Sequence, residues 1–158
     1  LSSAVSLARG YALHRATLLD LRALRRLERV IFPRDAYPCF DLALLFMWPG
    51  VLNLKVVALD GSLAGFVSAT RGLASRRAWI ITLGVDPVHQ RHGLGAYLLA
   101  TAEKRIGRPY MRLTVRQGNV TAIRLYERAG YSVIERKWGY YHDGETGLVM
   151  EKHVEFGT

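Results

Sequence analysis

Apolar positions along the chain switch between two periods, and the switches mark out its elements. Tyr11–Ala16 is short and predicts a first strand. From Leu18 the spacing becomes Leu18, Leu21, Leu24, Leu27 and Ile31, the stripe of an amphipathic helix, with Arg22, Arg25, Arg26 and Arg29 as its solvated face. Thr17, with Asp20 three residues on, gives that helix a variant capping box. Phe32-Pro33-Arg34-Asp35-Ala36-Tyr37-Pro38 breaks the pattern, and its two prolines predict an extended loop. Asp41 is expected to cap a second short helix that runs to Trp48 and ends at Pro49-Gly50. Leu52–Leu59 and Ser62–Thr70 read as strands around Asp60-Gly61, a two-residue hairpin signal.

The stretch that follows organises the rest. Trp79–Val85 is a continuous apolar run and predicts a buried strand, which Asp86-Pro87 stops because proline has no N–H for a ladder. A polar turn, Gln90-Arg91-His92-Gly93-Leu94-Gly95, leads into a helix with Leu94, Leu98, Ala102 and Ile106 on one face. Gly107-Arg108-Pro109 breaks before strand Tyr110–Val115, and Gln117-Gly118-Asn119 is a turn. Val120–Ala129 is a helix closed by Gly130. Tyr131–Trp138 and Leu148–His153 are strands flanking a loop over Tyr140–Gly147. The order β-α-α-β-β-β-α-β-α-β-β predicts one α/β (α+β) domain, a mixed central sheet flanked by helices.

Composition narrows this picture only a little. A chain of 158 residues, half of them hydrophobic, fits one domain with a real core. No run approaches the ~18 apolar residues of a membrane span. Cys39 is the only cysteine, which leaves no disulfide framework and no thiolate zinc cluster, and a cytoplasmic protein is the expectation. Residues 1–10 lack a secretory signal and are expected to be an N-terminal extension, disordered or tag-derived, ahead of a domain over 11–158. The net charge of +9 favours polyanions in general, including a multiply phosphorylated ligand. Its arginines are scattered and match no nucleic-acid-binding motif, so nucleic acid is not an expected partner. The five histidines, His14, His89, His92, His142 and His153, show no ligand spacing, and no metal is expected.

The glycine turn carries the first chemical suggestion. Strand, glycine-containing turn and helix form an arrangement that binds phosphate on free backbone N–H groups, and Arg91 and His92 add positive charge. A plain β–α connection uses the same residues. The turn is neither a Walker loop, which needs Gly-Lys-Ser/Thr, nor a Rossmann fingerprint. Gly84 interrupts an apolar run, where a bulge or a close ligand approach would use it, or where it is merely tolerated. Asn119 and Tyr126 lie seven apart, two helical turns, so both face one side of their helix.

Gln90-x-x-Gly93-x-Gly95 directly after Val85-Asp86-Pro87 resembles the acetyl-CoA signature of the GNAT superfamily of N-acetyltransferases. The likeness is closest to RimI-like and archaeal N-terminal acetyltransferases, and covers about Tyr11 to His153. The resemblance implies a GNAT fold and acetyl-CoA as cofactor, with the pyrophosphate on the N–H groups of Arg91, His92, Gly93, Leu94, Gly95 and Ala96, and with Gln90 also at the cofactor. In GNAT proteins the central strand splays from its neighbour, which would leave Leu83, Gly84 and Val85 to receive the acetyl carbonyl and pantetheine arm. In RimI-like enzymes an Asn at the position of Asn119 touches the cofactor. The Tyr of a Leu-Tyr-Glu triplet, here Leu125-Tyr126-Glu127, protonates the leaving sulfur. A lone helical tyrosine is otherwise a packing residue.

Two further stretches match on the acceptor side. Phe32, Pro33, Arg34 and Tyr37 sit in a segment similar to the Phe-Pro loop that lines the peptide groove of N-terminal acetyltransferases. Tyr140-Tyr141-His142-Asp143-Gly144-Glu145 resembles the Tyr-Tyr-x-Asp-Gly-Glu loop that closes over the substrate N-terminus, and would face the first loop across the cleft. The base is where the chain departs from the pattern. The relatives carry an acidic residue or histidine five positions before the Asn, and here that place is Thr114. A threonine hydroxyl takes no proton near neutral pH, although it can hold a water that does. His142, Tyr140 and Tyr141 are the other candidates. Such a site suits an α-amine, with a pKa of about 7.7–8.0, better than a lysine at about 10.4. The implied acceptor is a protein or peptide N-terminus, such as that of a ribosomal protein. A small amine, a lysine side chain, or no catalysis at all remain as alternatives.

Overall fold

Seven strands form one mixed sheet because each apolar run finds a neighbour at the register its turns allow. The computed structural model describes residues 5–34, 39–72 and 75–156, with the backbone alone at 39–41. Tyr37 therefore lies outside the described residues. The strands are β1 Tyr11–Arg15, β2 Val51–Ala58, β3 Leu63–Arg71, β4 Arg77–Val85, β5 Tyr110–Arg116, β6 Ser132–Lys137 and β7 Gly147–His153. The helices are α1 Leu21–Ile31, α2 Cys39–Met47, α3 Leu94–Ile106 and α4 Val120–Arg128. The predicted order of elements is the observed one. The sheet order is β1-β2-β3-β4-β5-β7-β6, antiparallel at every pairing except β4 with β5.

The core lies between the sheet and α3. Leu94, Leu98, Ala102 and Ile106, the predicted stripe, are all buried there with Leu54, Val67, Met111, Leu113 and Met150. On the opposite face Leu24 and Leu27 of α1 close over Phe66. At the amino-terminal end Leu7 packs against the main core. Among the described residues no helix is long and apolar enough to cross a membrane.

Four local expectations are corrected. The capping box is present, with the Thr17 N–H donating to Asp20 Oδ2 at 2.8 Å, but it starts a short 3-10 turn over Leu18–Asp20. Leu18 is consequently exposed and does not belong to the α1 stripe. α2 begins at Cys39, so Asp41 lies inside it and not at its N-cap. The hairpin between β2 and β3 uses four residues, Leu59–Ser62, because Asp60 Oδ1 accepts from the Ser62 N–H at 2.9 Å and widens the turn.

The fourth correction positions the site. The bulge in β4 is at Ile81 and not at Gly84: Ser68 pairs with Thr82 while its neighbour Ala69 pairs with Ile80. One extra residue reverses which side chains face which helix. Before it Ala78 and Ile80 pack in the α3 core, and after it Leu83 does. Thr82 and Gly84 are thereby turned toward α1. A Cβ on Gly84 would stand 2.6 Å from Ile31 Cδ1 and 3.4 Å from Phe66 Cε1, so the close approach of α1 accounts for the glycine.

Candidate functional site

β4 and β5 run side by side only from Arg77–Trp79 against Tyr110–Arg112. Beyond that they part, and among the described residues the second half of β4, Ile80–Val85, has no strand on its β5 side. Unpaired backbone groups in a cleft wall require a partner. This is the splay expected at Leu83, Gly84 and Val85, and all three line the cleft that opens there.

At the carboxyl end of β4 the chain turns through Pro87–His89 into α3. Gly93 is the N-cap of α3 at φ +71°, and Arg91 also takes a left-handed conformation at φ +69°. That region is open to glycine and strained for arginine. The first intrahelical bond runs from the Tyr97 N–H to the Gly93 carbonyl at 3.0 Å, so the N–H groups of Leu94, Gly95 and Ala96 precede the ladder. Nothing lies within 4 Å of where a Gly93 Cβ would be, whereas a Gly95 Cβ would meet Leu125 Cδ2 at 3.2 Å. Gly93 thus keeps a helix start open, and Gly95 lets α4 close on α3. The open start, its oriented N–H groups and the exposed Arg91 fit a diphosphate. Gln90, Arg91, Gly93, Leu94, Gly95 and Ala96 line the cleft; His92 does not, its ring packing 5.5 Å from that of Tyr11.

Across the cleft stand β5 and α4. Asn119 is the N-cap of α4, and its Oδ1 accepts from the Ala122 N–H at 3.2 Å. Its local role is therefore a cap, with the residue still on the cleft wall. Tyr126 is 8% exposed, its ring 6.0 Å from that of Tyr131. Burial pushes its hydroxyl up to about 12. Among the described residues that hydroxyl has no hydrogen-bond partner. Thr114 alternates with core residues Leu113 and Val115, so it points away from α3, onto the sheet face that Thr82 also occupies.

The two acceptor-side loops do meet. Arg34 Nη1 lies 3.2 Å from Asp143 Oδ2, joining the segment after α1 to the loop between β6 and β7. Arg116 organises that second loop from β5: its guanidinium contacts Asp143 and Glu145, each at 2.9 Å, and sits 4.1 Å over the Tyr141 ring. Its hydrogen bond to Asp143 holds that carboxyl below the usual carboxylate range. Tyr140 and Tyr141 stack edge to face at 5.0 Å. Phe32, Tyr140 and Tyr141 line the cleft, while Pro33 and Arg34 lie outside it. His142, an alternative base, is exposed and also off the wall.

Sequence reasoning overlooked Glu28. It is 0% exposed, lines the same cleft, and its Oε1 accepts from Thr82 Oγ1 at 2.9 Å. The signal was its spacing, four residues after Leu24 and three before Ile31, which puts a carboxylate on the apolar stripe and not on the arginine face. No cluster of potential metal ligands occurs among the described residues.

Comparison with known proteins agrees with this geometry. The Acetyltransferase (GNAT) family profile matches residues 21–131. The N-alpha-acetyltransferase of Saccharolobus solfataricus is 26% identical, over 91% of this chain and 93% of its own. An uncharacterized N-acetyltransferase of Methanocaldococcus jannaschii is 33% identical, over 84% of this chain and 85% of its own. Among solved structures, the ribosomal-protein-S18-alanine N-acetyltransferase of Escherichia coli superposes with a TM-score of 0.82 at 25% identity, covering 94% of this chain and 96% of that one. A splayed β4–β5 pair, a glycine turn opening α3 and a family match across both place this chain in the GNAT family of N-acetyltransferases, acyltransferases that use acetyl-CoA.

Proposed function

We propose that this enzyme acetylates the α-amine of a protein or peptide N-terminus by direct transfer from acetyl-CoA in a ternary complex. The observation that carries the reading is the pair of loops joined by Arg34 and Asp143. They bring Phe32, Tyr140 and Tyr141 to the acceptor end of the cleft, where a peptide needs apolar walls and a closed entrance. The names of the similar proteins support it, one an N-alpha-acetyltransferase and another a ribosomal-protein-alanine N-acetyltransferase. The chemistry of amines supports it too. Near neutral pH a lysine must give up a proton against roughly two to three more pH units than an α-amine, about 1.4 kcal/mol each, whatever group receives it. A panel of N-terminal peptides, α-blocked lysine peptides and small polyamines, scored by acetyl-CoA consumption, tests the choice. Unblocked peptides should turn over fastest, and polyamines as the best acceptors would reject it.

Within this reading Leu83, Gly84 and Val85 hold the acetyl carbonyl and pantetheine on their backbone groups, and Arg91, Gly93, Leu94, Gly95 and Ala96 hold the pyrophosphate. Tyr126 serves the leaving sulfur, and Thr114 holds a water near the incoming amine. Thr114→Val should then slow turnover only modestly, by about 2–10-fold, less than the roughly 10²–10⁴-fold lost with a general base. Thr114→Glu should leave the enzyme active or faster near pH 7. Steady-state kinetics at pH 7 checks both. A Thr114→Val enzyme slowed a thousandfold would make the water held there the main path for the proton.

A further inference from the structure

Acetyl transfer to an ammonium requires something on the acceptor side to take a proton, and the Thr114 hydroxyl cannot. Glu28 sits where α1 should carry an apolar residue, with 0% exposure, in the wall of the reaction cleft. Burying a carboxylate without function is costly, since a leucine would pack there without desolvation. One of its partners is the Thr82 hydroxyl, which donates to Oε1 at 2.9 Å. Thr82 faces Glu28 only because the bulge at Ile81 reverses the strand's alternation, turning the hydroxyl away from α3. The same bulge leaves Thr82 directly before Leu83, at the edge where β5 has parted from β4. A hydroxyl that donates to a carboxylate still has lone pairs with which to accept.

We infer that Thr82 and Glu28 form the proton relay for the incoming amine. One ammonium proton passes to Thr82 Oγ1 as the hydroxyl's own proton passes to Glu28 Oε1. The freed nitrogen lone pair forms the N–C bond at the thioester carbonyl, and the C–S bond breaks with its electron pair on sulfur. A second N–H proton goes to the sulfur, leaving the amide and a free thiol. Glu28 returns its proton to solvent by the reverse route once the products leave. The relay rests on the acetyl-transfer reading of this cleft, not on which amine it accepts.

Glu28→Gln keeps the side-chain shape and an acceptor for Thr82 but removes the proton sink. It should lower kcat/KM for the best acceptor by about 10²-fold, the scale of general-base catalysis, with KM for acetyl-CoA unchanged. Thr82→Val should do the same, and Thr82→Ser should restore most of the loss. Titration of acceptor peptide into CoA-bound enzyme supplies a readout apart from turnover. There Glu28→Gln should weaken an amine peptide by about 3–10-fold and leave its α-hydroxy counterpart unaffected, since only the former presents a cation. Wild-type kcat/KM in either Glu28→Gln or Thr82→Val would overturn the relay, and Thr82→Val decides the matter if the glutamine variant does not fold. The wild-type acceptor panel fixes the amine class, so failure of the α-amine reading and failure of the relay are told apart.

Discussion

Gly93→Asp is expected to weaken CoA binding by about 10²–10³-fold while leaving the fold intact. Aspartate is a good N-cap and tolerates the left-handed region better than most residues, so the start of α3 survives. Nothing in the protein lies within 4 Å of the new Cβ. The carboxylate would accept from the N–H groups that precede Tyr97 and place a negative charge where the pyrophosphate belongs. Two unit charges about 4 Å apart at a protein surface repel by about 4 kcal/mol, and the donors are occupied as well. Gly93→Ala supplies the control for backbone strain alone. Calorimetric titration with CoA reads both, and an aspartate variant that binds within threefold of wild type would move the pyrophosphate elsewhere.

Tyr126→Phe should lower kcat by about 10–10³-fold with little change in KM for acetyl-CoA. Phenylalanine keeps the packing against Tyr131 and removes only the hydroxyl. Because burial raises that hydroxyl to about 12, it stays protonated at every pH at which the enzyme would be assayed. A thiol ionises near 8.5, so complete transfer from Tyr126 to the thiolate runs uphill by roughly 3.5 pH units. The hydroxyl therefore acts by donating a hydrogen bond as negative charge develops on sulfur, and the amine's own proton completes the thiol. It follows that no fall in kcat below about pH 11 belongs to Tyr126, and a pH–rate profile checks this. Turnover near wild type would leave Tyr126 a packing residue.

The elements were legible because their signals are local. The stripe Leu94–Ile106 could only be a helix, and Gly130 at φ +101° closes α4 where a left-handed residue was expected. The parting of β4 from β5, though implied by the resemblance, has no local signature, since it depends on how far two strands distant in sequence stay paired. The bulge at Ile81 is likewise invisible in a run of apolar residues, any one of which could be the extra one. That hidden residue decides which helix Thr82 faces, and so the Glu28–Thr82 contact could not be read from the chain. Glu28 itself could have been, had its position on the stripe outweighed the arginines around it. Gly84 has a further reason to be glycine that the chain alone does not show, since a Cβ there would meet Ile31.

The proposed function rests on transfer of an acetyl group to an α-amine and not to a side chain. One peptide that carries both a free N-terminus and an internal lysine, incubated with acetyl-CoA and mapped by tandem mass spectrometry, puts the two amines in direct competition. Acetylation is expected at the N-terminus, with the internal lysine left free. Acetylation at the lysine, with the N-terminus left free, would contradict it.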